Sequence, residues 1–128
     1  ILPPVSFTGL PVVYSKYALS LATTAARHTA ELHRPVDFIL LRNFEIPMSG
    51  GLQICSYSQE LAQYFEENEE IIFYNDKKEF IEKVEFYLRP DNHSLRIKIK
   101  QAARKRAESE HTWFNRYQKI FAELGIKL

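Results

Sequence analysis

Two short apolar runs, Leu52-Gln-Ile-Cys-Ser-Tyr57 and Ile71-Ile-Phe-Tyr-Asn75, constrain the fold more than any other feature of the chain. Each is too short for a buried helix and rich in the β-branched and aromatic residues that pleated backbone favours. Neither alternates with polar residues, as a half-exposed strand would; continuous apolar runs belong to strands covered on both faces. A segment of helical length separates them, and strands so spaced pair in parallel through crossover connections. The expected architecture is therefore α/β, a parallel sheet with helices on both sides.

The rest of the chain extends that pattern. Residues 4–8, Pro-Val-Ser-Phe-Thr, read as a first strand stopped by Gly9, and 18–22 as another, giving about four in all. Pro11 suits the first turn of a short helix over 12–17. Residues 23–36 are polar and fit either a loop or a helical turn ended by Pro35. The apolar stretch 37–48 is open in type, although Pro47 argues against a central strand. Ser49-Gly50-Gly51 is a break. Ser58 can cap a helix through Glu60, Leu61, Tyr64 and Phe65, and 66–70 form an acidic turn.

Asp76 with Glu79 resembles a capping box for a helix over 77–88 that sets Phe80, Ile81, Val84 and Leu88 on one face. Pro90-Asp91-Asn92 ends it, and a basic helix follows over 94–108. His111-Thr112 opens a last helix with an apolar stripe of Trp113, Phe114, Tyr117, Ile120, Phe121 and Leu124, closed by Gly125. The whole reads as one domain, with strand and helix alternating over 1–90 and helices alone over 91–128.

Composition narrows the function. At 128 residues, 45% apolar and 26% charged, the chain matches a single globular domain rather than a disordered or fibrous one. Seventeen Lys and Arg against 16 Asp and Glu leave a net charge of +1, so no strong overall pull toward nucleic acid is expected. The single Cys55 excludes an internal disulfide framework and a Cys-rich zinc site, and fits a reducing, cytoplasmic compartment. No 18-residue apolar run or signal peptide is visible. The missing initiator Met and the abrupt apolar start read as those of a fragment.

Parallel sheets bind ligands beyond the carboxyl ends of their strands. The residues expected there are Phe7-Thr8-Gly9-Leu10 and the stretch from Asp37 to Gly51. Within the latter, Arg42 offers paired donors for a diphosphate and Glu45 can accept both hydroxyls of a ribose. Ser49, Gly50 and Gly51 let backbone approach a ligand. The plain alternatives are a glycine helix cap at 50–51 and a surface ion pair between Arg42 and Glu45. His28 and His33 flank Glu31 without the spacing of a metal-binding helix, and a surface loop is the simpler reading. Mid-strand Cys55 reads as a buried, inert thiol. The run Arg96, Lys98, Lys100, Arg104, Lys105 and Arg106 is either a solvated helix face or a surface for anions or an acidic bilayer.

At this point the chain resembles a family. Arg42-Asn-Phe-Glu45-Ile-Pro-Met-Ser-Gly50-Gly51 is similar to the R-x-F-E-(4)-G-G signature of glycosyltransferases of group 1, and in particular of those related to the spore-maturation CgeB group. Ile71-Ile-Phe-Tyr-Asn-Asp and His111-Thr112-Trp113 with Arg116 resemble their distal segments, and Val5-Ser-Phe-Thr-Gly9 with Tyr14-Ser-Lys-Tyr-Ala-Leu-Ser-Leu their proximal one.

The resemblance implies part of the carboxyl-terminal, donor-binding Rossmann-like domain of a GT-B enzyme, with nucleotide sugar as substrate and the amino-terminal domain as missing partner. It implies Glu45 at the ribose, and Asp37 as a catalytic-site carboxylate in a D-x7-E version of an E-x7-E pair. Arg42 and the Ser49–Gly51 backbone would serve the diphosphate, and the Gly9 loop would lie near the base. No metal or other cofactor is implied, and no nucleic acid; peripheral membrane contact stays open through the basic run. A cleft with one wall cannot orient an acceptor, so the fragment alone is expected to be inactive. A non-catalytic α/β interaction module is the rival reading, and an anion-surface binder through 96–106 the other.

Overall fold

The computed structural model describes residues 5–24 and 38–126. Three strands, β1 (Ser20–Ala22), β2 (Gln53–Ser56) and β3 (Ile72–Tyr74), form a parallel sheet in the order β1-β2-β3. Leu21 pairs with Ile54, and Ile54 with Ile72. Five α-helices surround them: α1 (Leu10–Lys16), α2 (Arg42–Met48), α3 (Lys77–Leu88), α4 (His93–Glu110) and α5 (Trp113–Glu123).

The period-two alternation of the strands divides the core. Ala22, Cys55 and Phe73 face one layer, where they meet Phe44 and Ile46 of α2, Leu61, Phe65 and Ala107 of α4. Ile54 and Ile72 face the other, against Tyr87, Phe80 and Val84 of α3 and Ile99 and Leu95 of α4. Helices thus lie on both faces, as expected of a Rossmann-like α/β fold. Burial pushes the Cys55 thiol up to about 11, against a weak pull from its hydrogen bond with Gln53, so at neutral pH it is a small core side chain and not a nucleophile.

Two expectations are corrected. The sheet has three strands among the described residues, not four. The first expected strand is instead a 3-10 helix, Phe7–Gly9, closed by Gly9 N–H donating to the Ser6 carbonyl and running straight into α1. Pro11 sits in the first turn of α1, where its missing N–H costs nothing. The helix expected after Ser58 is also only a 3-10 turn, Leu61–Gln63. The Ser58 hydroxyl accepts from Leu61 N–H at 3.3 Å, although the turn's cap position is Glu60. Leu61 and Phe65 are both driven into the core, and Asn68, at φ 63°, turns the chain back toward β3 before a longer helix can form.

The start of α3 follows its sequence signals closely. Asp76 accepts from Glu79 N–H at 2.9 Å. Glu79 reaches back one residue further than a capping box requires, to Asn75 N–H at 2.7 Å, and pairs with Lys83 at 2.8 Å. The hydrogen bond from Lys83, then those from the Asn75 backbone and side chain, pull Glu79 down to about 2. A carboxylate held below its unfolded value stabilises the fold above the unfolded value and loses that effect as pH falls toward the folded one. Glu79→Gln should therefore be less stable than the parent at pH 7. The gap should close between about pH 4.5 and pH 2; urea unfolding across that range measures it, and a gap independent of pH would contradict the assignment.

Candidate functional site

Helix α2 carries the signature residues and sets their geometry. Phe38 N–H donates to the Thr24 carbonyl at 2.8 Å, so the chain enters α2 beside the carboxyl end of β1. It leaves toward β2, where the Leu52 carbonyl accepts from Ser20 N–H at the amino end of the β1–β2 pair. Arg42 and Ser49 thus lie at opposite ends of the helix, about 10 Å apart along its axis. Phe44 and Ile46 point into the core; Glu45 stays half-buried at the surface.

Glu45 lines two adjoining clefts. One, of about 210 Å³, lies toward α1 and is formed by Phe7, Leu10, Pro11, Tyr14, Met48 and Ser49. The other, of about 290 Å³, lies toward α5 and is formed by Phe7, Leu41, Phe44, Met48, His111, Thr112 and Trp113. Phe7 and Trp113 are exposed aromatic rings beside the carboxylate, at 76% and 59% accessible. The groove therefore joins one acidic group to apolar, ring-bearing walls. It lies along the flank of α2, not at the open mouth of the sheet, where Thr24 and Ser56 instead bond each other at 2.7 Å.

The expected residues divide. The Gly9 loop does come beside Glu45, through Phe7 and Leu10. Arg42 is exposed at the start of α2 and forms no ion pair with Glu45 among the described residues. Asp37 lies outside the described residues, as do His28, Glu31 and His33.

The Ser49–Gly51 backbone forms the glycine helix cap that was the plain alternative. Its N–H groups donate to the carbonyls of Glu45, Pro47 and Ile46, which ends α2 in a Schellman turn with Gly50 at φ 73°. Those donors are used within the chain, and a helix carboxyl end is the wrong pole for an anion. Gly51 is needed because a Cβ there would meet the Tyr14 carbonyl at 3.0 Å and the Ile46 side chain at 2.9 Å.

The residues that sequence reasoning missed come from α5. Thr112 caps it by accepting from Asn115 N–H, and the Asn115 side chain bonds back to Thr112 N–H. His111 packs its ring edge-on near Phe44, Tyr64 and Phe65 and bonds the Tyr64 carbonyl at 3.1 Å. Arg116 lays its guanidinium 4.4 Å from the centre of the Phe44 ring. The apolar stripe of α5 is largely exposed: Trp113, Phe114, Tyr117, Ile120 and Leu124 face outward, Phe121 is half-buried, and no residue of α5 is fully buried. The signal lay in the His111-Thr112-Trp113 motif, which fixes Arg116 one turn beyond the cap.

A third cavity, about 420 Å³, adjoins the groove. Ile39, Phe44, Glu60, Tyr64, Glu110, His111, Arg116, Lys119 and Ile120 line it, so Phe44 and His111 are walls of both.

The basic run on α4 is mostly engaged within the chain. Arg96 donates to the carbonyls of Tyr87 and Arg89, and Lys100 to that of Tyr17 at 2.7 Å, each at the end of another helix. Arg104 pairs with Glu108, and Arg106 with Glu70 and Glu110. Four of the six cations thus have internal partners, which leaves little for an anionic surface. No described helix is long and apolar enough to cross a membrane. No group of three or more His, Cys, Asp or Glu that could hold a metal ion is present among the described residues.

A family model described as glycosyl transferase-like matches residues 3–122. No curated protein and no solved structure matches the chain.

Proposed function

Because the chain belongs to the glycosyl transferase-like family, we propose that the groove on α2 binds the nucleotide-sugar donor of a glycosyl transfer reaction. The single observation that supports this reading most is the place of Glu45, a lone carboxylate between two apolar clefts within the family-matched stretch. A nucleoside presents a flat base and a vicinal diol. The exposed rings of Phe7 and Trp113 suit the base, and a carboxylate accepts from both hydroxyls at once.

Arg42 serves the same ligand from the start of the helix. The narrower assignments, a GT-B enzyme of CgeB-like type with an acceptor domain across the cleft, belong to this proposal. So does Asp37 as a carboxylate near the sugar. Transfer itself needs a second wall to orient the acceptor, so binding is the property to measure on this chain.

Calorimetric titration of the 128-residue chain with UDP, GDP and their sugars is the test. Glu45→Ala should weaken binding by about tenfold or more, the loss of a charge-assisted pair of hydrogen bonds. Arg42→Ala should weaken it less. Unchanged affinity in both variants would remove these residues from the site.

A further inference from the structure

We infer that Arg116, with Lys119 one turn further along α5, is the phosphate-holding end of the same site, filling the place that the Ser49–Gly51 backbone cannot. This rests on the donor-binding reading and extends it. Three observations converge. The Arg116 guanidinium is fixed by stacking, 4.4 Å from the Phe44 ring centre and 5.4 Å from that of Trp113, and forms no ion pair with a carboxylate among the described residues. A guanidinium held by its face keeps its N–H edge for a ligand, and that planar fork matches phosphate oxygens.

The cavity that Arg116 lines also receives Lys119, and it shares the Phe44 and His111 walls with the Glu45 groove. Glu45 follows Phe44 in the chain. A single ligand with a diol at one end and phosphate at the other can therefore reach from one cavity to the next along the Phe44 and His111 walls they share.

The acidic groups of that cavity are compatible. The Glu110 carboxylate is held by Arg106 at 2.8 Å. Glu60, also in the lining, is left to accept from hydroxyl groups. The cavity thus takes a phosphate next to a hydroxyl-bearing group, the chemistry of a nucleoside diphosphate bearing a sugar.

The test compares uridine and guanosine with UDP and GDP on the full chain, by calorimetry. The parent should bind the diphosphates at least about tenfold more tightly than the matching nucleosides. Arg116→Gln should remove most of that ratio while leaving nucleoside affinity nearly unchanged. Lys119→Gln, an exposed change that leaves the Phe44 stack intact, should reduce it in the same direction. A preference that survives in both variants overturns the inference and leaves the Glu45 reading standing. So does a parent that binds UDP no better than uridine. A parent that binds neither nucleosides nor diphosphates overturns both.

Discussion

Phe44→Ala should cost the domain about 3–5 kcal/mol, a large part of what a chain of this size has. Phe44 is 6% exposed and sits in the core layer that joins α2 to the 61–65 turn, the sheet and Ala107 of α4. Its ring lies 5.6 Å from that of Tyr64, 5.7 Å from Phe65 and 5.3 Å from His111, mostly edge-to-face or tilted, the arrangements aromatic quadrupoles favour. On the opposite side it carries Arg116. Truncation removes the apolar area, leaves a void that rigid neighbours cannot fill, and releases α5, which has no buried residue of its own to hold it. Urea unfolding measures the loss, and hydrogen exchange in 113–123 should quicken selectively. A loss below about 1 kcal/mol would mean that the aromatic cluster does not bind the tail to the body.

Gly51→Ala is the second substitution with a large expected effect, about 1–3 kcal/mol from overpacking. The added methyl would stand 3.0 Å from the Tyr14 carbonyl and 3.1 Å from that of Ile46. Both obstacles are backbone, so relief requires α1 to move away from α2. That motion reshapes the cleft formed by Leu10, Pro11, Tyr14 and Glu45, so the nucleotide binding proposed for it should weaken along with stability. Gly50→Ala makes a useful contrast. Its left-handed φ of 73° strains any side chain, but the nearest atom to a new Cβ is the Arg104 guanidinium at 3.8 Å, so stability should fall without α1 being displaced.

The elements legible in the sequence were those whose signals are local. Helix α3 begins and ends at the residues predicted because Asp76, its apolar spacing and Pro90 all act within a turn or two. β2 and β3 were legible because strands buried on both faces leave unbroken apolar runs. The stretch 37–48 was open because Pro47 and its apolar residues fit several backbones. Tertiary packing decided: Phe44 and Ile46 are buried against the sheet, and the helix forms although Pro47 lies inside it and forfeits one helix hydrogen bond. The first expected strand failed because the turn from Ser6 to Gly9 closes on itself and runs straight into α1.

For the site, Glu45 could be singled out by residue type, but its surroundings could not. Phe7 is more than a hundred residues from Trp113, and the two come to one cleft beside Glu45 only through the packing of both ends of the chain on α2. The same holds for α5 itself. A regular apolar stripe reads as core, yet nothing in the periodicity says which side of the helix will meet the body, and here the Arg116 side does.

Helix α4 serves both sides of the sheet: Ala107 belongs to the cluster around Phe44, and Ile99 and Leu95 to the one beneath α3. Its side chains also hold the ends of two other helices, through Lys100 and Arg96. The two halves of the interior therefore have a common keystone, and neither can melt while the other stands. Loss of order along this rod reaches the layer around Phe44 and the layer beneath α3 in the same event, so the two layers are built to stand or fall together.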